Sequence, residues 1–186
     1  MNWWDKNYNR SDFRGWIAQD SNSTRIRLAE LVKPYGSVLD CACGTCMDYF
    51  EYKSQGIPIK YKGVDFCEGL VEEAKEKGID CVHGSIEELP FKDKSFDIVT
   101  ARHILEHLDY YEKAISEMCR VANKEVIIIF FLPLREKDML QKDKALNYEV
   151  NVNEYGKKKL EDYASKFGSL EWIPMGSETI LRIKRG

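Results

Sequence analysis

Apolar residues along the chain fall in short runs whose period alternates between helix and strand. Ser21-Asn22-Ser23-Thr24 supplies helix-capping candidates, and the helix they open is predicted to run to about Lys33, where Pro34-Tyr35-Gly36 stops it. Ser37-Val38-Leu39-Asp40 reads as a short strand, and Met47 to Gln55 as a helix closed by Gly56. Tyr61 to Asp65 is the next strand, followed by a helix from Leu70 to Lys77 that Gly78 ends. Asp80 to His83 and Phe96 to Thr100 read as the third and fourth strands. Tyr110 to Val121 is predicted to be a helix capped by Asp109. Glu125 to Leu132 is nearly unbroken Val, Ile and Phe, the pattern of a parallel strand covered on both faces.

Such alternation implies a doubly wound α/β sheet. The tail departs from it. After a predicted helix from Glu154 to Phe167, Leu170 to Ile173 and Thr179 to Ile183 flank a turn at Pro174-Met175-Gly176-Ser177, as in an antiparallel hairpin. The expected fold is one domain with a mainly parallel, seven-stranded sheet, helices on both faces and this hairpin at one edge. Residues 1–36 would form an N-terminal helix or lid, 37–132 the binding core, and 133–186 a substrate loop, a helix and the edge hairpin.

Composition narrows the function. The 186 residues are 44% hydrophobic and 32% charged, a globular balance, with a formal net charge of −3. A net acidic chain argues against broad contact with a phosphate backbone, so no nucleic acid is expected as partner. The longest apolar run, Val126 to Leu132, is far shorter than the roughly 20 residues that cross a bilayer. Met1-Asn2-Trp3-Trp4-Asp5 lacks a basic start followed by an apolar stretch, so a cytoplasmic protein is expected. Six cysteines in that setting read as free thiols. Cys41-x-Cys43-x-x-Cys46 invites a metal, but no second pair of ligands follows it, and neither metal nor disulfide is expected.

In open parallel sheets, ligands bind beyond the carboxyl ends of the strands. The first strand ends in Asp40, followed by Cys41-Ala42-Cys43-Gly44-Thr45-Cys46, whose small residues let backbone approach a ligand. The helix after it would aim its N-terminus at a carboxylate or phosphate. The second strand ends in Asp65, whose carboxylate can accept both hydroxyls of a ribose. The third leads into Gly84-Ser85-Ile86, placed to frame a base.

Val38-Leu39-Asp40-Cys41-Ala42-Cys43-Gly44-Thr45 resembles the first motif of class I S-adenosylmethionine (SAM)-dependent methyltransferases, and Gly63-Val64-Asp65 resembles the second. His83 to Phe91 and Ser95 to Val99 are similar to the third and fourth. Leu105-Glu106-His107-Leu108 and Glu117-Met118-Cys119-Arg120-Val121 continue the pattern of the type 11 branch. The resemblance spans about residues 37 to 132 in correct order. It implies SAM as cofactor, with its methionine end held by Asp40 and the backbone near Ala42 and Gly44. It further implies ribose on Asp65, adenine against Phe66 and the edge formed by Ser85 and Ile86, and Ala101 and Arg102 lining the methionine side. Ala42 and Cys46 stand where that family usually has glycine, Ser85 where an acid is common, and Asn123-Lys124-Glu125 where Pro-Gly-Gly is usual.

Other classes compete. A nicotinamide dinucleotide enzyme would want G-x-G-x-x-G after the first strand, and this loop has one glycine. His103-Ile104-Leu105-Glu106-His107 matches the H-x-x-E-H zinc-peptidase pattern, which needs both histidines on one helix face. A SAM-binding protein without catalysis is the remaining alternative.

Methyl transfer is an in-line displacement in which the protein supplies alignment and, for a hydroxyl acceptor, a base. His103 lies just past the fourth strand, near the position the resemblance gives the methyl group, and is the expected general base. His107, one turn on, is either catalytic support or a structural histidine. The Asn/Asp-Pro-Pro-Tyr/Phe and Pro-Cys motifs of DNA methyltransferases are absent, so the expected acceptor is a small molecule or saccharide, methylated at oxygen or nitrogen. Lys157-Lys158-Lys159 reads as a solvated helix face. Trp3, Trp4, Tyr8, Phe13 and Trp16 would either staple the N-terminus to the sheet or form a lid. Pro133 to Asn153 is a charged stretch of the length that substrate-gating loops have.

Overall fold

The computed structural model describes residues 6–11, 14, 22–143 and 150–186. Its elements in chain order are α1 (Asn22–Val32), β1 (Ser37–Cys41), α2 (Met47–Ser54), β2 (Lys60–Asp65), α3 (Glu68–Glu76), β3 (Cys81–His83) and β4 (Phe96–Arg102). A 3-10 turn (Leu105–His107) precedes α4 (Glu112–Val121), β5 (Ala122–Phe130), the short β6 (Lys142–Asp143) and β7 (Val150–Asn151), α5 (Lys157–Ala164), β8 (Ser169–Met175) and β9 (Glu178–Lys184).

The main sheet has seven strands in the order β3-β2-β1-β4-β5-β9-β8. β1 through β5 pair in parallel, while β9 runs antiparallel to both β5 and β8. The chain moves outward from β1 to β3 and then returns to place β4 on the other side of β1. Loops after β1 and β4 therefore diverge and open a crevice at the carboxyl ends, where such sheets bind ligands.

The apolar run of β5 is buried on both faces, as its composition demands. Val126, Ile128 and Phe130 join Leu39, Val99, Met118 and Leu160 in one core layer, beneath α4 and α5. Ile127 and Ile129 join Leu28, Val38, Tyr52 and Ile98 in the other, beneath α1 and α2. Each such buried side chain contributes roughly 1.5–3 kcal/mol by leaving water. A third, smaller cluster of Cys43, Cys46, Val71, Ala74, Ile79 and Cys81 lies under α3. Among the described residues, no helix is long and apolar enough to cross a membrane.

The seven-stranded, mainly parallel sheet with its edge hairpin is as the pattern predicts; several boundaries are not. β5 begins at Ala122, directly after α4, where Ala122 pairs with Phe96 of β4, and Glu125 inside the strand is bound by Arg182 and Tyr35. α5 is shorter than Glu154 to Phe167, since Glu154 and Gly156 bridge to Met139 and Arg135 instead of joining the helix. Asp109 does not cap α4. Its carboxylate accepts from the Asn151 side chain at 2.8 Å, and the N-cap is Tyr111 without a side-chain cap.

Trp3, Trp4, Phe13 and Trp16 lie outside the described residues. Tyr8 is described, and its ring packs so closely on Gly69 that a Cβ there would come within 2.2 Å of it. Arg14 makes two hydrogen bonds to Glu73, at 2.8 and 2.7 Å. Both contacts dock this part of the N-terminal segment against α3.

Candidate cofactor and acceptor site

The loop after β1 is the first wall of the crevice. Ala42 (φ 57), Gly44 (φ 53) and Cys46 (φ 59) all adopt left-handed backbone, so the chain keeps a glycine-type turn with only one glycine in it. At a non-glycine residue that conformation costs roughly 1 kcal/mol. Space opens around Gly44, where an added Cβ would meet nothing within 4 Å. α2 starts directly behind, and its N-cap, Cys46, makes no side-chain cap, leaving first-turn N–H groups for a ligand.

Asp65, at the end of β2, organises this loop. One carboxylate oxygen accepts from the Gly44 N–H at 2.8 Å, the other from the Cys67 N–H at 2.9 Å. Burial raises its pKa, and these donors oppose the rise. Each oxygen keeps a lone pair for a ribose hydroxyl. Phe66 beside it is half exposed and stacks on His83, with ring centroids 6.0 Å apart. Ser85 folds inward, its hydroxyl accepting from the Glu87 N–H at 3.1 Å, and the Ile86 side chain packs into the core. These two residues therefore offer chiefly backbone to a base.

Asp40 is buried beneath the loop. It accepts a hydrogen bond from the Tyr61 hydroxyl at 2.7 Å, and burial, reinforced by the nearby Asp48 charge, pushes its carboxyl well above the usual range. It braces the loop from below. The Ala101 side chain is likewise in the core, facing away from solvent.

The opposite wall comes from residues after β4. His103 adopts a left-handed φ of 53, a strained conformation for a side-chain-bearing residue. Its backbone N–H is anchored on the Ile129 carbonyl at 2.9 Å. Its Nε2 lies 3.5 Å from Glu178 Oε1, and Arg102 Nη2 lies 3.7 Å from the other Glu178 oxygen. Arg102 also donates to the Thr24 hydroxyl at 2.7 Å, tying α1 to this corner. Burial works against ionised Glu178, but donors from His103 and Thr24 together with the Arg102 charge hold its pKa below the usual range. The Phe131 ring faces both His103 (5.3 Å) and His107 (5.5 Å).

His107 plays a different part. Its Nδ1 is 2.7 Å from the Asn151 carbonyl, its Nε2 is buried, and burial pushes its pKa down. A neutral imidazole donating from Nδ1 fastens β7 to the 3-10 turn. Because this segment is a 3-10 turn, His103 and His107 do not share the helix face that the H-x-x-E-H pattern requires. The loop after β5 is stitched to the same turn: Asn153 donates to the carbonyls of Glu106 and Leu108, and the Tyr155 hydroxyl to that of Leu105.

Two residues assigned no role from the sequence belong here. Glu178 sits 75 positions beyond His103, so no local motif links them. Glu106 is fully buried. Its Oε1 accepts from the Phe131 N–H at 2.8 Å, and its Oε2 has no hydrogen-bond partner among the described residues. Burial pushes its pKa up to about 7. The charged member of the Leu-Glu-His-Leu motif was visible, yet its burial was not.

An open, glycine-type loop above a carboxylate at the second strand end, on a β3-β2-β1-β4-β5-β9-β8 sheet, defines a class I methyltransferase domain, and the cofactor its residues fit is SAM. Residues 39–130 match the family described as "Methyltransferase domain". A demethylmenaquinone methyltransferase of Staphylococcus haemolyticus is 36% identical over 104 residues, which are 53% of this chain and 44% of that protein. The chain thus spans less than half of that relative's length. Among solved structures, a Pyrococcus horikoshii protein superposes with a TM-score of 0.71 at 22% identity, covering 97% of this chain and 94% of its own. Magnesium protoporphyrin IX methyltransferase from Synechocystis, solved with bound S-adenosylhomocysteine, gives 0.69 at 15% identity, with 98% of each chain covered. Both similarities extend the shared fold to nearly the whole chain.

Proposed function

We propose that the chain transfers the methyl group of SAM to a small, flat, hydroxylated aromatic acceptor, with His103 as general base. The observation that carries this is the corner where His103 is held against Glu178 and faced by Phe131 at the mouth of β4. SAM, when bound, supplies an electrophilic methyl group on a sulfonium sulfur. Asp65 would hold the ribose, the backbone of Ala42 and Gly44 the methionine end, Phe66 the adenine face, and the chain at Ser85 and Ile86 its edge. Arg102 acts indirectly, by keeping Glu178 charged and in place, and Asp40 supports the loop. His107 is a positioning residue.

A carboxylate beside an imidazole orients the ring and stabilises its protonated form, which favours taking a proton from a hydroxyl. Removing a phenolic proton raises electron density on the oxygen and on the adjacent ring carbon alike, so the same base serves O- or C-methylation. The relative's demethylmenaquinone substrate supports a flat ring. Nothing at this corner favours a saccharide over such a ring.

The test is turnover of the purified full chain with SAM against hydroxylated naphthalenes and benzenes, sugars and primary amines, read as S-adenosylhomocysteine formed. Hydroxyaromatics should be methylated, and His103→Ala should abolish most of that turnover. Turnover confined to amines or sugars would refute the acceptor class, and full activity of His103→Ala would refute the base.

A further inference from the structure

The cysteine-rich loop was expected to lack further metal ligands because no second cysteine pair follows it. The fold supplies a third thiol from elsewhere. β3 begins at Cys81, and its pairing beside β2 carries Cys81 under the cofactor loop, into contact with Cys43 and Cys46. The Cys43 and Cys81 sulfurs are 3.5 Å apart, those of Cys43 and Cys46 are 3.7 Å apart, and all three lie within 4.8 Å of one another. We propose that Cys43, Cys46 and Cys81 form a three-thiolate site for one soft closed-shell cation of the Zn2+ or Cu+ kind.

The spacing matches such a site. With metal–sulfur bonds of about 2.3 Å, a tetrahedral centre separates its sulfurs by about 3.8 Å and a trigonal one by about 4.0 Å. A disulfide would need two of these sulfurs at about 2.05 Å. The donors are all soft thiols, which select Zn2+ and Cu+ over Mg2+ or Ca2+. The surroundings also leave room for the sulfurs. Position 63 on the neighbouring strand is glycine, and a Cβ there would stand 2.8 Å from the Cys43 sulfur and 3.2 Å from that of Cys81. Any side chain at that position would break up the triad.

The site is coupled to the crevice by the chain itself. Cys43 and Cys46 flank Gly44, whose N–H binds Asp65, and the Tyr61 hydroxyl that bonds Asp40 borders the same space. A cation here would clamp the cofactor loop to the first residue of β3. Thiol protons displaced on binding pass to solvent, so affinity rises with pH. Three protein ligands leave a fourth position, which water fills on Zn2+ and which three-coordinate Cu+ does without.

The test uses the full chain, reduced and stripped of metal. In one arm Co2+ is titrated as a coloured stand-in for Zn2+ and then displaced by Zn2+; in the other, Cu+ is delivered from a chromophoric chelator. We expect one equivalent bound per chain, a sulfur-to-cobalt charge-transfer band in the first arm, and a higher melting temperature with the bound ion. The band should vanish in Cys81→Ser and persist in Cys119→Ser, whose thiol lies in a separate part of the core. Cys46→Ser serves if Cys81→Ser does not fold. Uptake of Cu+ alone supports the trigonal form of the site. A wild-type chain that takes up neither ion overturns the proposal, whatever the variants do, and so does a cobalt band unchanged in a folded Cys81→Ser.

Discussion

The two walls of the crevice are built on different principles. On the side proposed for the cofactor, the wall is made chiefly of backbone: left-handed turns at 42, 44 and 46, open space at Gly44 and N–H groups at the start of α2, with the Asp65 carboxylate bound to the Gly44 N–H. The side proposed for the acceptor is made of side chains drawn from far apart, with His103 after β4, Phe131 after β5 and Glu178 at the start of β9. Backbone sites leave local marks in sequence, because small residues and strand-end acids must occur at fixed spacing. Side-chain constellations assembled by topology leave none.

The largest effect should come from breaking the acceptor wall. His103→Ala should lower turnover by roughly 10²–10⁴-fold, the usual span for losing a general base, while SAM affinity measured by calorimetry stays near wild type. Glu178→Gln should fall between the two enzymes, since it leaves the imidazole in place without its anionic partner. If His103→Ala instead abolishes SAM binding, the two walls are not separable.

Next is the buried Glu106. Its ordinary value of 4.5 is raised to about 7 in the fold, a difference worth about 3 kcal/mol. The native chain therefore holds a proton there that the unfolded chain loses near 4.5. Its stabilising contribution is complete below that pH and declines as pH climbs to about 7. Glu106→Gln, which keeps the acceptor for the Phe131 N–H, should remove this decline. Denaturant melts at pH 5 and pH 8 check it: equal pH dependence in both proteins would mean that Glu106 ionises freely.

On the cofactor wall, Asp65→Ala should weaken SAM binding by about 1–3 kcal/mol, the cost of leaving polar partners unpaired. Calorimetry with unchanged affinity would remove its ribose role. The smallest effect is expected at Ala42→Gly. Relieving a left-handed alanine should stabilise the fold by about 0.5–1 kcal/mol in urea melts, with little change in turnover. A loss of stability would show that the alanine methyl packs usefully there.

This contrast explains what the sequence disclosed. Five of the seven strands and the edge hairpin were legible because burial on both faces forces runs such as Val126 to Phe130, and Asp40 and Asp65 were legible because they stand at or next to strand ends. The orientation of their side chains was not. Asp40 turns under the loop to Tyr61 and Ala101 turns into the core, since strand register decides which face a residue takes, and Ile86 enters the core from the turn after β3. Asp109 looked like a cap because helix caps are read from neighbours, whereas its partner, Asn151, comes from β7. Cys81 went unnoticed for a similar reason: 35 residues separate it from Cys46, and only the pairing of β2 with β3 brings the two together.

The place of β9 also bears on how the molecule is made. β8 lies at the sheet edge, outside β9, which is its only neighbour in the sheet among the described residues. A ribosome delivers β8 first, so that strand must wait, unpaired, until later residues arrive to slot between it and β5. Glu178 opens that late strand. A nascent chain can thus pair β1 to β4 well before Glu178, the carboxylate beside His103, emerges, so the proposed acceptor corner forms after the proposed cofactor pocket.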